Sequence, residues 1–150
     1  MAQSKIRDRL VGGWQLMGYS VTADGKTDHP LGEHPRGAIL YTPDGYMSAQ
    51  LAGPGPDKDD DRPDAYYIAY SGPYDVDETN QVVNHHVDVS VIPSWLGTTQ
   101  HRQARFDGPD KLTLSVSERG ADGVTTTQTI NWARQAPRLG ALPCRPLSPC

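Results

Sequence analysis

Apolar residues recur at helical spacing only once along this chain, near its start. Ile6, Leu10 and Val11 share one face of residues 4–11, Ser4 stands where an N-cap belongs, and Gly12-Gly13 ends the run. One short helix is expected there. Almost everything after it carries the shorter period of strands. Residues 14–21 run into the turn Ala23-Asp24-Gly25. Residues 37–41 form a short apolar run stopped by Thr42-Pro43-Asp44-Gly45, where Pro presets φ and Gly accepts a positive φ. Residues 46–51 leave that turn, so the two segments predict a hairpin. Residues 65–76 carry four tyrosines and are expected to bend near Gly72-Pro73. Strands over 81–92, 98–106, 111–118 and 124–132 follow, separated by Gly, Asp, Asn or Pro.

About eight strands, or slightly more, joined mostly by tight turns predict an all-β fold. An antiparallel up-and-down barrel with a short N-terminal helix is favoured over a sandwich, because closure removes exposed strand edges. Eight strands leave an interior just able to hold one small ligand. Two segments stand apart. Residues 52–63, AGPGPDKDDDRP, have no period and read as an acidic solvated loop. Asp57, Asp59 and Asp61 imitate a calcium loop, but Arg62 takes the position of the required Gly and Ile68 that of the closing Glu. Residues 135–150 hold four prolines, which prevent ladder pairing, so the domain is drawn as 1–134 with a flexible tail after it.

At 150 residues the chain is one domain, and Gly 15 with Pro 13 fits many turns and few helices. A net charge of −4 without a basic block argues against nucleic acid. No run reaches the ~20 apolar residues of a membrane span. The N-terminal charges lack an apolar segment behind them, so no secretory signal is expected. Cys144 and Cys150 both lie in the tail, which suits neither a disulfide framework nor a zinc site. The expected location is the cytoplasm, and a homodimer is left open. No nucleophile elbow, phosphate-binding glycine loop or dinucleotide fingerprint is present, and His29 and His34 lack a third ligand. Neither a metal nor a cofactor is expected.

In a barrel, polar groups on the apolar side of a strand are the informative ones. His85 shares a face with Val83, Val87, Val89 and Val91, opposite Asn84, His86, Asp88 and Ser90. It reads either as a hydrogen-bonded core group or as a proton-transfer group. Along 98–106, Ala104 and Phe106 draw Gln100 and Arg102 into the lumen. A buried guanidinium needs a partner, and a ligand oxygen is one candidate. The alternative is an arginine capping carbonyls at the barrel end. Tyr46, Tyr70 and Tyr74 are the tyrosines expected in the cavity, with Tyr66 and Tyr67 over its mouth. Trp95 reads as a lid aromatic or a core plug.

The strings Leu10-Val11-Gly12-Gly13-Trp14, Pro30-Leu31-Gly32-Glu33, residues 37–50 with YTPDGYMSAQ, Tyr70-Ser71-Gly72, residues 83–87 with NHHV, and Pro93-Ser94-Trp95-Leu96-Gly97-Thr98 occur in order. Together they resemble the lipocalin-like domain family of small bacterial and fungal proteins, over residues 10 to about 133. The resemblance implies a calycin-type barrel around a ligand cavity. Some barrels of this general type cyclise or isomerise natural-product intermediates. The resulting expectation is a cofactor-independent isomerase or cyclase acting on a hydrophobic, oxygenated polyketide- or terpenoid-derived intermediate. His85, Arg102 and Tyr70 would be its catalytic residues, with Tyr46, Ser48, Gln50, Tyr74, Trp95 and Gln100 contacting the ligand. The alternative is a non-catalytic carrier of a small hydrophobic molecule.

Overall fold

The structure, a computed structural model, describes residues 5–53 and 67–138. The helix α1 (Ile6–Leu10) buries Ile6 and Leu10 beneath one end of the sheet. Its first turn is held from outside. The Glu78 carboxylate accepts the backbone N–H of Ile6 at 2.7 Å and of Arg7 at 3.1 Å, and Lys5 at the N-cap makes no side-chain cap. Ser4 lies outside the described residues. Gly12 does not end the helix but opens the first strand.

Among the described residues ten strands follow: β1 (Gly12–Ala23), β2 (Lys26–Asp28), β3 (Arg36–Tyr41), β4 (Tyr46–Ala52), β5 (Ile68–Asp77), β6 (Val82–His86), β7 (Val89–Ser90), β8 (Thr99–Phe106), β9 (Lys111–Arg119) and β10 (Thr125–Arg134). Eight of them close a ring in the order β1-β3-β4-β5-β6-β8-β9-β10, and β10 pairs back to β1. Every pairing is antiparallel, so the fold is a closed up-and-down barrel. The extra strands are β2, which extends β1 beyond the turn at Asp24-Gly25, and β7, which lies against β5.

The 81–92 strand expectation needs correction. Alternation holds through Val83, His85 and Val87, which are buried, and then stops. Val87 N–H turns to the carbonyl of Thr98, and the chain re-enters as the two-residue β7, leaving Val89 and Val91 exposed. β5 is continuous through Gly72-Pro73, but its partner changes there. Tyr70 and Ser71 pair with β7, whereas Tyr74 to Asp77 pair with β6. Gly72 makes the exchange feasible, because a Cβ there would sit 1.9 Å from the His86 carbonyl oxygen.

The interior is filled by Trp14, Leu16, Ile39, Met47, Ala49, Leu51, Val83, Ala104, Leu112, Leu114 and Trp132. One end is sealed by α1 and by guanidinium groups on aromatic faces. Arg9 lies 4.1 Å from the Phe106 centroid, and Arg134 lies 4.2 Å from that of Trp14. Arg134 also donates to the carbonyls of Val11, Arg9 and Pro109, joining the last strand to the start of the barrel. Among the described residues, no helix is long and apolar enough to cross a membrane. The acidic segment at 57–61, Tyr66 and both cysteines of the tail lie outside the described residues.

Candidate ligand-binding site

His85 sits at the middle of the barrel, 1% exposed, where β6 faces β3 and β5. Its Nε2 is 2.7 Å from the Tyr41 hydroxyl and its Nδ1 is 2.8 Å from the Tyr70 hydroxyl. Burial, then the nearby Arg102 charge and His86, push the imidazole down to about 3 from its usual 6.5. The ring is therefore neutral at ordinary pH. The same burial raises Tyr41 well above its ordinary value and Tyr70 to about 12, although Arg102 pulls both back. Both hydroxyls keep their protons.

Arg102 is 6% exposed. Its Nη1 donates to the His101 carbonyl at 2.9 Å, and its Nη2 reaches Gln100 Oε1 at 3.3 Å. Its buried Nε has no hydrogen-bond partner among the described residues. No carboxylate forms an ion pair with it among the described residues. Toward the barrel end opposite α1, Arg102 and Tyr70 line a cavity of about 20 Å³, together with Tyr19, Trp95, Gln128 and an apolar wall of Leu51, Ile68 and Ile130. That volume holds roughly one water molecule. Trp95, in the 3₁₀ turn Pro93–Trp95, packs edge-on against Tyr70 with centroids 5.4 Å apart.

The structure thus brings His85, Arg102, Tyr70, Trp95 and Gln100 together. It does not bring the others. Tyr46 is 56% exposed, and Ser48 and Gln50 share its outward face on β4, where Gln50 bonds to Ser48 at 2.8 Å. The inward face of that strand is Met47, Ala49 and Leu51. Tyr74 is buried, but at the sealed end: its hydroxyl donates to the Thr42 carbonyl, and Arg7 lies over its ring. The placement of these four in the cavity is corrected accordingly.

Two further tyrosines, Tyr41 and Tyr19, belong to the site. Tyr41 has an apolar strand around it, so inward alternation was available to find it. Tyr19 was not open to such a reading, because a bulge between Leu16 and Gly18 shifts the register of β1. The extra residue, Met17, goes to solvent, and Tyr19 is turned inward opposite Ile130. His86 and His101 point outward, bonded to Asp75 and Asn84 respectively. No group of three or more His, Cys, Asp or Glu gathers around a metal position among the described residues.

The sequence profile of the lipocalin-like domain matches residues 11–135. The chain belongs to the lipocalin-like domain family. One relative is the 4'-hydroxy-3'-methoxypropiophenone carrier protein ppsC of Aspergillus oryzae. It is 36% identical over 81 residues, covering 49% of this chain and 71% of that protein. Among solved structures, a redesigned β-barrel superposes with a TM-score of 0.44 at 17% identity, covering 91% of this chain and all of that one.

Proposed function

We propose that this lipocalin-like protein is a carrier that binds a hydrophobic, oxygenated small molecule in its lumen and leaves it unchanged. The observation that carries the reading is the state of His85. Its two ring nitrogens are both engaged by tyrosine hydroxyls, and its pKa of about 3 is far from neutrality. General acid–base catalysis works best with a pKa near the working pH, so His85 is poorly suited to move a proton. It is well suited to hold Tyr41 and Tyr70 in place. The similarity to a protein named as a carrier of an aryl ketone agrees with binding without chemistry.

The cavity of about 20 Å³ admits an oxygen-sized group but not a ring. Uptake therefore requires side chains to move; Tyr19, Ile68 and Trp95 are half-buried in the cavity wall, and Trp95 is the one whose movement tryptophan emission reports. One observation favours the isomerase or cyclase reading. Arg102 and Tyr70 together would stabilise charge developing on a substrate oxygen, whatever His85 does.

The two readings part in a single experiment with 4'-hydroxy-3'-methoxypropiophenone as the probe. A carrier takes up one molecule per chain, changes its tryptophan emission as Trp95 moves, and releases the probe chemically intact after extraction. Failure of the probe to bind would overturn the carrier reading. Conversion of the probe into an isomer would replace it with the catalytic one.

A further inference from the structure

We propose that the lumen binds its ligand as an anion, through a single conjugated oxygen that accepts from Arg102 Nε–H and Tyr70 O–H. The ligand class is then a phenol or enol conjugated with a carbonyl group. This rests on the small-molecule binding reading above and adds the chemistry of the recognised group.

The first support is a count of protons. A neutral imidazole has one N–H, so His85 accepts from one tyrosine and donates to the other. The tyrosine that accepts keeps a hydroxyl proton with no acceptor among the described residues. With the ring proton on Nε2, the spare proton is that of Tyr41, fully enclosed away from the cavity, where it is a buried donor left unsatisfied. With the ring proton on Nδ1, Tyr41 donates to Nε2 and the spare proton is that of Tyr70, which lines the cavity. The Nδ1–H tautomer is therefore favoured, and Tyr70 has a hydroxyl proton to offer a ligand.

The second support is Arg102. A guanidinium stays charged at any working pH, and here its bonded partners are a carbonyl and an amide oxygen, both neutral. Burying such a charge without a counter-charge is costly, and an anionic ligand would offset that cost. The groups facing it from the surrounding strands are Tyr19, Tyr41, Tyr70 and His85, none of them acidic at neutral pH.

Geometry then selects the kind of anion. A carboxylate is best gripped by a parallel pair of guanidinium N–H groups. One N–H on each Nη of Arg102 is committed, to the His101 carbonyl and to Gln100, and the buried Nε–H has no partner among the described residues. Arg102 and Tyr70 both line the cavity of about 20 Å³, which has room for one oxygen atom and not for the two of a carboxylate. In a para-hydroxyaryl ketone, ionisation spreads the negative charge from the phenolic oxygen through the ring to the carbonyl. Such a molecule can present a single charged oxygen on an otherwise apolar body.

The test is a spectrophotometric pH titration of 4'-hydroxy-3'-methoxypropiophenone, free and with excess protein, following the red-shifted phenolate band. Its 4'-O-methyl ether, which cannot ionise, and octanoate serve as comparison ligands. The expected result is an ionisation midpoint lowered by at least one pH unit on binding, with the ether and octanoate each at least tenfold weaker. Arg102→Leu should abolish the lowering while keeping the barrel's circular dichroism, and Arg102→Lys should keep part of it. An unshifted midpoint, or equal binding of the ether, would overturn anion recognition and leave the carrier reading standing. Preference for octanoate would overturn the ligand class. Absence of binding by all three would overturn both readings, and the wild-type comparison decides the matter even if Arg102→Leu fails to fold.

Discussion

His85 lies on the inner side of β6 with Val83 and Val87, and alternation along that strand is enough to place it there. Its partners are not legible in the same way, because Tyr41 and Tyr70 come from positions 44 and 15 residues earlier in the chain. Arg102 follows the same division. Its inward face is set by Ala104 and Phe106, while its unpartnered Nε emerges only when the neighbouring strands are in place. The buried imidazole has a consequence for stability. Folding lowers its pKa to about 3 from 6.5, so between those values the unfolded chain binds more protons than the folded one. Its contribution is complete above about pH 6.5 and is lost as pH falls toward 3, at up to about 1.4 kcal/mol per pH unit. Asp75, held low by its hydrogen bonds to Asn84 and His86, loses stability in the same direction but in a lower window, below 3.8. In His85→Gln, urea unfolding measured between pH 4 and 7.5 should show a slope shallower by about one proton. An unchanged slope would mean that His85 is not the group held neutral.

At the scale of the strand, period-two alternation is dependable where a strand is straight and paired, and misleading where it is not. On β4 the apolar alternates Met47, Ala49 and Leu51 mark the inner face correctly. The expectation that Tyr46, Ser48 and Gln50 contact a ligand runs against that pattern, because burial of the apolar set dominates the choice of face. On β1 the bulge at Met17 shifts the phase, and on β6 the strand ends before its valines do. The helix shows a related gap, since its N-terminal hydrogen bonds come from Glu78, far away in sequence. The junction of β5 with β6 and β7 depends on one glycine. A methyl group at Gly72 would collide with backbone, the His86 carbonyl, which cannot rotate aside as a side chain would. Gly72→Ala should therefore destabilise the protein by about 1–3 kcal/mol, the usual cost of overpacking, or more if the strands separate. Chemical denaturation would read this directly, and a loss under 0.5 kcal/mol, the range of a neutral surface change, would show that the two strands have slack at that crossing.

Across the whole molecule, the short links between consecutive strands make the neighbour order readable from the chain, and the avoidance of free edges argues for closure. What could not be read is how evenly the ring is closed. β10 pairs with β1 from Trp14 to Ala23, and Arg134 ties that joint to Val11 and Arg9. The β8–β9 joint is much shorter, running only from Gln103 opposite Ser115 to Phe106 opposite Leu112. Beyond it the strands part, and the Arg102 guanidinium takes the place of a ladder N–H at the His101 carbonyl. A groove of about 380 Å³ lies outside this seam, and Arg102 lines both the groove and the inner cavity. One side chain thus separates lumen from solvent where the β8–β9 ladder has ended. Local opening free energies follow hydrogen bonding and buried contact, so this seam should open more readily than the long β1–β10 joint. Hydrogen exchange resolved by peptide should be faster over Thr99–Arg102 and Val116–Arg119 than over β1 and β10, and saturation with a bound ligand should slow it at the seam most. Equal protection around the ring would show that the Arg102 plug holds as firmly as a full ladder, and would leave the end beside Trp95 as the route into the lumen.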